Sequence, residues 1–243
     1  MGVILDRDSG LRTHNTLYTN CFILYTKIML ADDSSREQLL NFFHGGTKLS
    51  YKKGESIVNS GDSPKGIHYI EDGFVKAYAI TKYGEENNLI VRQHDDLFPL
   101  IWAFTGLHRD ITYQALSDTT LWRVARSDFL DFLKKNEHVV PVLLDMAIEA
   151  YRLHSERVMT LEYRTVRERL ASFLLTHAER FNDGSSKKLA LSAPIRRQDI
   201  ASSINASRES TSRALSVLAK EGLVNLKTPF IEISDPDKLR QLL

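Results

Sequence analysis

The pattern of apolar residues changes near Arg126, and this change is the strongest constraint on the fold. From Gly45 to Arg126, short runs of β-prone residues are separated by turn residues. From Ser127 onward, apolar residues recur at helical spacing. The sequence therefore predicts an α+β chain in which an N-terminal antiparallel β-roll or barrel precedes a helical part. The tight turns of such a roll favour glycine, as at Gly54, Gly61, Gly66 and Gly73.

The start of the chain differs from the rest. Residues 1–28 look like an added leader of uncertain status, and Met29 is a candidate true start. The apolar run from Cys21 to Leu30 has about ten residues, whereas a bilayer span needs about 20. The sequence thus favours a cytoplasmic protein with no membrane segment. A short helix capped by Asp32 or Ser34 is expected to precede the roll and to end near Phe43.

A long helix is predicted after the roll. Ser127 is a candidate cap for a short helix, and an uninterrupted helical pattern then follows over 137–161. Its stripe could pack on the sheet as a core helix, but we favour a dimer seam of coiled-coil type. Residues 162–164 are a candidate hinge. The predicted seam consists of Leu143, Ala147, Ala150, His154, Val158 and Leu161.

Composition and charge divide the chain in a similar way. The 42% of apolar residues can form a packed core, and the net charge of +1 indicates no global affinity for nucleic acid. The part of the chain after Thr165, however, contains 13 basic and 9 acidic residues, which gives it a net charge of +4. We therefore divide the chain into a roll at 29–136, a dimerisation helix with its hinge at 137–164, and a third domain at 165–243.

The segment from Arg196 to Leu218 carries the clearest functional pattern. A helix from Gln198 would bury Ile200 and Ile204, and a second helix would begin after Ser207. The short turn between them makes this a helix-turn-helix. Two β-prone runs, 223–226 and 230–233, follow as a predicted wing. An ordinary pair of packed helices is the simpler alternative, and the wing argues against it.

The second helix of this motif presents side chains suited to DNA. Arginine can pair with guanine and glutamate can accept from cytosine, whereas short polar groups and flanking arginines suit phosphate. The predicted base-reading residues are Arg208, Glu209, Ser212 and Arg213. The predicted phosphate contacts are Arg196, Arg197, Gln198, Ser207 and Thr211.

Taken in order, these features resemble the Crp/Fnr family of bacterial transcription regulators. The resemblance spans about 45–233 and rests on the glycine-rich roll, on Ser155-Glu156-Arg157-Val158, on Arg169, and on the segment from Ser207 to Arg213. It implies an N-terminal roll, a jelly-roll-like double-stranded β-helix, that senses an effector. It also implies a helix that forms a homodimer and a winged helix that binds a two-fold symmetric, palindromic operator. The recognition helix matches the base-reading residues of both the cyclic-AMP receptor and Fnr branches, so the half-site stays open. RNA polymerase is a further candidate partner.

The sensing region departs from the pattern of the cyclic-AMP receptors. Those proteins present Gly-Glu and Arg-Ser pairs to the nucleotide, whereas this chain has Pro99-Leu100 and Arg109-Asp110. Asp110 would repel a phosphate. We therefore expect that cyclic AMP does not bind through the usual residues, and that the pocket holds an apolar small-molecule effector or is filled. The candidate pocket residues are Phe98, Pro99, Leu100, Arg109, Asp110, His154 and Ser155.

No cofactor or metal is predicted. A single cysteine disfavours an iron–sulfur cluster, while the histidines leave haem as an open alternative. A cupin-like metal enzyme would need a metal-binding pattern such as His-x-His, which the sequence lacks, so we expect a chain that is not an enzyme. A signalling module whose winged helix binds protein is the other alternative. The histidines considered for haem are His44, His68, His94, His108, His138 and His154.

Overall fold

The structure is a computed structural model that describes residues 31–181, 189–191, 193–227 and 230–243. The predicted leader at 1–28, Cys21 and a loop expected near 182–186 lie outside the described residues. The predicted N-terminal helix, α1, spans Asp33–His44, and the Asp32 side chain accepts a hydrogen bond from the Ser35 N–H at 2.8 Å. Of the two candidate caps, Asp32 is therefore the one used.

Eight short strands form the predicted antiparallel roll. They lie in two four-stranded sheets, ordered β1-β8-β3-β6 and β2-β7-β4-β5. The four predicted turn glycines have positive φ, and at Gly73 a Cβ atom would lie 2.6 Å from the Asp118 carbonyl oxygen. The strands are β1 Thr47–Tyr51, β2 Ser56–Val58, β3 Ile67–Asp72, β4 Val75–Ile80, β5 Glu86–Arg92, β6 Leu97–Phe98, β7 Thr112–Ala115 and β8 Thr119–Val124.

Apolar side chains from the two sheets fill the inside of the roll, and Ile70, Val75, Phe98 and Leu121 are fully buried there. A second cluster lies outside the β1-β8-β3-β6 sheet, where α1 packs with two further helices. Helix α2 spans Leu100–Thr105 and helix α3 spans Arg126–Lys135. The latter begins one residue before the predicted cap Ser127, whose hydroxyl instead contacts the Asp128 side chain.

The predicted long helix, α4, spans Val140–Tyr163 after a 3₁₀ turn at Glu137–Val139. Its 24 residues extend about 36 Å. The predicted seam is wrong at Leu143, which is 4% exposed and packs in the second apolar cluster, outside the β1-β8-β3-β6 sheet. The reason is that the first turn of α4 packs on the roll, whereas the later seam residues Ala147, His154 and Val158 are exposed. An exposed stripe on α4 consists of Leu144, Ile148, Tyr151 and Val158.

The C-terminal part is a helix-turn-helix followed by a β-hairpin, as predicted. Thr165 and Glu168 form the expected capping box at the start of its first helix. The core of this part also takes in Val91 and Leu116, two residues of the roll region. The elements are α5 Val166–Arg180, β9 Ala190–Leu191, α6 Arg197–Ser203, α7 Arg208–Lys220, β10 Val224–Lys227, β11 Phe230–Ile233 and α8 Pro236–Arg240.

Candidate functional site

Helix α7 begins with a serine cap and carries a polar outer face. The Ser207 hydroxyl accepts a hydrogen bond from the Ser210 N–H at 3.1 Å, which satisfies one of the free N–H groups of the first turn. On the inner face, Leu215 and Leu218 are buried against the domain core. The opposite face is therefore left to solvent, beginning at the first turn of the helix.

The predicted base-reading residues lie together on this outer face. Arg208, Glu209 and Arg213 are exposed and Ser212 is half-buried. Within the described residues, neither arginine forms an ion pair. The backbone N–H of Glu209 and the Ser207 hydroxyl lower the pKa of the Glu209 carboxyl, so this group is ionised at neutral pH. Two cations and one anion thus project from the start of α7.

The turn between α6 and α7 is held by hydrogen bonds from a side chain on α5. Asn205 has φ of 49°, a left-handed conformation that asparagine tolerates well. Arg169, on α5, donates from Nη1 to the Ile204 carbonyl at 2.8 Å and to the Asn205 carbonyl at 3.1 Å. Ala201 is fully buried, which lets the helices approach. The orientation of α7 relative to α5 is consequently set by a charged side chain as well as by packing.

The predicted phosphate contacts fall into two groups. Arg196, Arg197, Gln198 and Ser207 are exposed around the N-terminal ends of α6 and α7. The prediction for Thr211 is wrong, because this residue is fully buried and its hydroxyl donates to the Ser207 carbonyl at 2.9 Å. The internal hydrogen bond satisfies the hydroxyl, so burial leaves it no role at the surface.

A buried ion pair joins the helix-turn-helix to the roll. Lys76 on β4 is fully buried, and its Nζ lies 3.2 Å from Oδ1 of Asp199 on α6 and also contacts the Glu86 carboxylate. Burial alone would raise the pKa of the Asp199 carboxyl, but the Arg196 hydrogen bond and the Lys76 charge together hold it below its usual value. We call this group, Lys76, Glu86, Arg196 and Asp199, the interdomain ion cluster.

Strand β5 extends this contact. The Asn88 side chain donates to the Asp199 carbonyl at 2.9 Å. Arg157, on α4, donates to the Asn87 side chain at 2.6 Å and to the Ser203 carbonyl at 3.0 Å. The long helix, the roll and the helix-turn-helix therefore meet along one edge of β5.

A cavity of about 460 Å³ lies between the roll and α4. Its walls are mainly apolar, and they include Tyr151 of the exposed stripe. The lining residues are Val58, Asp62, Pro64, Ala77, Leu89, Ile90, Arg92, Pro99, Leu100, Ile101, Trp102, Leu107, His108, Arg109, Ile111, Tyr113, Ala147, Ala150, Tyr151 and His154.

The structure brings together some of the predicted pocket residues. Pro99, Leu100, Arg109 and His154 line the cavity, as do Ala147 and Ala150 of the predicted seam. Phe98 does not, because it is fully buried between the rings of His68 and Tyr113 inside the roll. Asp110, which is exposed, and Ser155 also lie outside the lining.

Sequence reasoning missed two polar residues of the cavity, Arg92 and Tyr113. Both belong to strands in which alternate residues face opposite sides, but the pattern alone does not say which side encloses a cavity. Burial raises the pKa of the Tyr113 hydroxyl, while Arg92 and Arg109 act to lower it. Desolvation, with the charges of nearby arginines that include Arg92 and Arg109, lowers the pKa of His154.

Among the histidines considered for haem, only His108 and His154 line this cavity. His68 is buried in the roll, and burial lowers its pKa to about 4. Over the described ranges, no three His, Cys, Asp or Glu side chains are placed to hold a metal ion together. The helices of those same ranges include none long and apolar enough to cross a membrane.

Family models match both halves of the chain. A cyclic nucleotide-binding domain matches 48–136, and a Crp-like helix-turn-helix domain matches 168–242. The chain is 25% identical over 195 residues to the fumarate nitrate reduction regulatory protein of Klebsiella oxytoca, with 80% of this chain and 78% of that one covered. It is 27% identical over 199 residues, at the same coverage, to electron transport regulator A of Shewanella oneidensis. The chain belongs to the Crp/Fnr family.

Solved structures confirm the fold of this Crp/Fnr chain. FixK2 from Bradyrhizobium japonicum matches with a TM-score of 0.71 at 24% identity and covers 81% of this chain and 96% of its own. A CooA mutant from Carboxydothermus hydrogenoformans has the same TM-score at 18% identity, with 88% and 97% covered. The Crp-like helix-turn-helix match and the regulatory relatives show that the chain is a Crp/Fnr-type transcriptional regulator with a helix-turn-helix DNA-binding domain. Its predicted fold class is confirmed.

Proposed function

We propose that this regulator binds a palindromic operator as a homodimer, reads base edges with Arg208, Glu209, Ser212 and Arg213, and responds to a small molecule in the roll cavity. It would act in the cytoplasm and catalyse no reaction. A contact with RNA polymerase belongs to the same proposal. The observation that carries it is the outer face of α7, where two arginines without ion-pair partners among the described residues flank an ionised glutamate.

The chemistry of that face suits a major groove. Exposed guanidinium groups can donate two hydrogen bonds each to guanine, and the Glu209 carboxylate can accept from cytosine. Exposed side chains at the N-terminal ends of α6 and α7 can position α7 by contacting phosphates; they are Arg196, Arg197, Gln198 and Ser207. In a two-fold symmetric dimer, the two copies of α7 would enter successive major grooves about 34 Å apart.

The exposed stripe on α4 supports the homodimer. Leu144, Ile148, Tyr151 and Val158 follow at spacings of four, three and seven residues, which is the period of a coiled-coil seam. Each is at least 43% exposed in the single chain. A second copy of the same helix has the same stripe, so two copies can bury it against each other along the length of α4.

The DNA test is selection of a randomised duplex library by the full chain and by the double variant Arg208→Ala, Arg213→Ala. We expect the wild type to enrich an inverted repeat and the double variant to enrich none, because each bidentate arginine contact contributes about 1–3 kcal/mol. Lys220→Ala, an exposed cation at the far end of α7, is the matched control and should enrich the same repeat. Equal enrichment by the double variant would contradict the proposal and favour the protein-binding alternative.

The dimer test is sedimentation of Tyr151→Glu against Tyr83→Glu. The two tyrosines are 74% and 78% exposed, but only Tyr151 belongs to the stripe. A carboxylate in the seam would face its own copy across the symmetry axis, so Tyr151→Glu should sediment as a monomer at concentrations where Tyr83→Glu is dimeric. Dimers of equal strength in both variants would show that the interface lies elsewhere.

A further inference from the structure

We propose that the roll cavity binds a carboxylic acid with an apolar body, whose carboxylate is held by Arg92 and Arg109. This inference rests on the proposed function, because it treats the cavity as the effector site, and it names the chemical class of the effector. The sequence comparison with the cyclic-AMP receptors does not supply it, since Arg92 lies outside the residue pairs on which that comparison rests.

The charges of the cavity are unbalanced. Arg92 enters from the end of β5 and Arg109 from the segment before β7, and neither forms an ion pair within the described residues. The Nε atom of Arg92 is buried and has no acceptor among those residues. The only carboxylate in the lining is Asp62, which accepts a hydrogen bond from the Asn59 side chain at 3.0 Å. Two cations and one anion leave a net charge of +1.

Carboxylates near Arg92 on the neighbouring helix are already engaged. Asp145 pairs with Arg36 at 3.0 Å and Glu149 pairs with Arg152 at 2.7 Å. Tyr113 and His154 line the same cavity, and both lie within the electrostatic reach of Arg92 and Arg109. His154 is neutral at pH 7, because its pKa is lowered, mainly by desolvation. One monoanion therefore fits the charge of the site.

The apolar walls of the cavity indicate the chemistry of the rest of the ligand. Leu89, Ile90, Leu100, Trp102 and Ile111 offer aliphatic and aromatic surface, and the cavity volume lies in the range of small-ligand sites. Leu100 stands where the cyclic-AMP receptors have the glutamate that accepts from ribose, so a sugar hydroxyl would find no acceptor there. Planar guanidinium groups hold a carboxylate through paired hydrogen bonds, and the walls bury a hydrocarbon body.

The test uses calorimetric titration and thermal unfolding of the full chain without DNA. The probes are octanoate and 3-phenylpropanoate, the neutral primary amides of the same two acids, and cyclic AMP. We expect at least one acid to bind and to raise the melting temperature, and its amide to bind at least about tenfold more weakly, because the amide lacks the charge that Arg92 and Arg109 meet.

Variants then locate the site. Arg92→Met and Arg109→Met should each weaken the acid at least about tenfold, whereas Lys82→Met, an exposed cation in the β4–β5 turn, should bind like the wild type. If Arg92→Met does not fold, Arg92→Lys keeps the charge but loses the paired hydrogen bonds, and it should still bind more weakly than wild type.

Three outcomes would overturn the proposal: no binding of either acid, equal binding of acid and amide, or tighter binding of cyclic AMP than of the acids. None of these affects the DNA test, which is read out separately. Enrichment of an inverted repeat by a chain that binds neither acid would leave the DNA proposal standing and reject the effector class alone. Binding of an acid by a chain that enriches no repeat would reject the DNA proposal and leave the effector class standing.

Discussion

The two sides of strand β5 show how differently one strand can use polar residues. On the side of the DNA-binding domain, Asn87 and Asn88 are hydrogen-bonded to Arg157 and to α6, and Val91 packs in the domain core. On the cavity side, Ile90 and Arg92 line an open space, and the buried Nε of Arg92 has no acceptor within the described residues. Paired polar groups hold two domains together here, whereas an unpaired cation is available to a ligand.

The largest expected effect on the free energy of unfolding comes from the interdomain ion cluster. Lys76→Met removes one of the two cations that pair with Asp199, whose side chain is 1% exposed, and we expect the free energy of unfolding to fall by about 3 kcal/mol, because Arg196 stays in place. Urea denaturation at a fixed chain concentration measures it. The double variant Lys76→Met, Asp199→Leu removes both charges and should recover part of the loss. A change below about 1 kcal/mol in the single variant would mean that the cluster does not hold the domains.

Acid should weaken both domains through His68, which is buried, and His177, which is half-buried. Burial lowers the pKa of His68, in the roll, to about 4, and that of His177, on α5, to about 3, whereas the unfolded value is 6.5. The unfolded chain therefore binds more protons below pH 6.5, so the stability is complete above pH 6.5 and falls as the pH is lowered toward 4. The loss at pH 5 is about 2 kcal/mol for each histidine.

Urea denaturation at pH 7.5 and pH 5.0 measures this loss, and variants assign it. His177→Gln should show a pH dependence smaller by about 2 kcal/mol than that of the wild type. His94→Gln, which changes an exposed histidine, should retain the full dependence. Equal pH dependence in all three proteins would show that His177 is not protected from protonation in the folded chain.

Local signals were sufficient for much of the fold and for the exposed face of α7. The caps at Asp32, Thr165 and Ser207 and the turn at Asn205 depend on residues within a few positions of one another, so the sequence predicts them well. The predicted strands and wing likewise follow from alternation and turn residues. The exposed face of α7 is the complement of a short apolar pattern, and its four base-reading candidates lie where that pattern leaves them.

The remaining features depend on contacts between distant parts of the chain. Lys76 and Asp199 are 123 positions apart, and a lysine in a strand is normally expected to be exposed. Leu143 and Leu144 differ by one residue on α4, and only the position of the roll decides which of them faces outward. Thr211 is similar, because its hydroxyl is satisfied within its own helix and the side chain can then be buried. The spacing of residues along one helix does not predict which of them another part of the chain will bury.

The helix cap at Thr165 tests a local contact against the interdomain cluster. Its hydroxyl accepts from the Glu168 N–H at 3.4 Å, and the Glu168 carboxylate accepts from the Thr165 N–H at 2.7 Å. Thr165→Ala removes the first of these contacts, and we expect a loss of about 1 kcal/mol in urea denaturation, well below that of Lys76→Met. Thr165→Ser keeps the hydroxyl and serves as the control. A loss as large as that of Lys76→Met would place the main connection between the domains at this exposed helix start.

An exposed ion pair on the roll should give the smallest effect. Nζ of Lys52 lies 2.7 Å from Oδ2 of Asp118, closer than Nζ of Lys76 lies to Asp199, but the two side chains are 79% and 66% exposed. Water already solvates both charges and salt screens them, so Lys52→Met should leave the free energy of unfolding almost unchanged. If Lys52→Met cost as much as Lys76→Met, distance rather than burial would govern these pairs. The contrast between the two sides of β5 would then lose its physical basis.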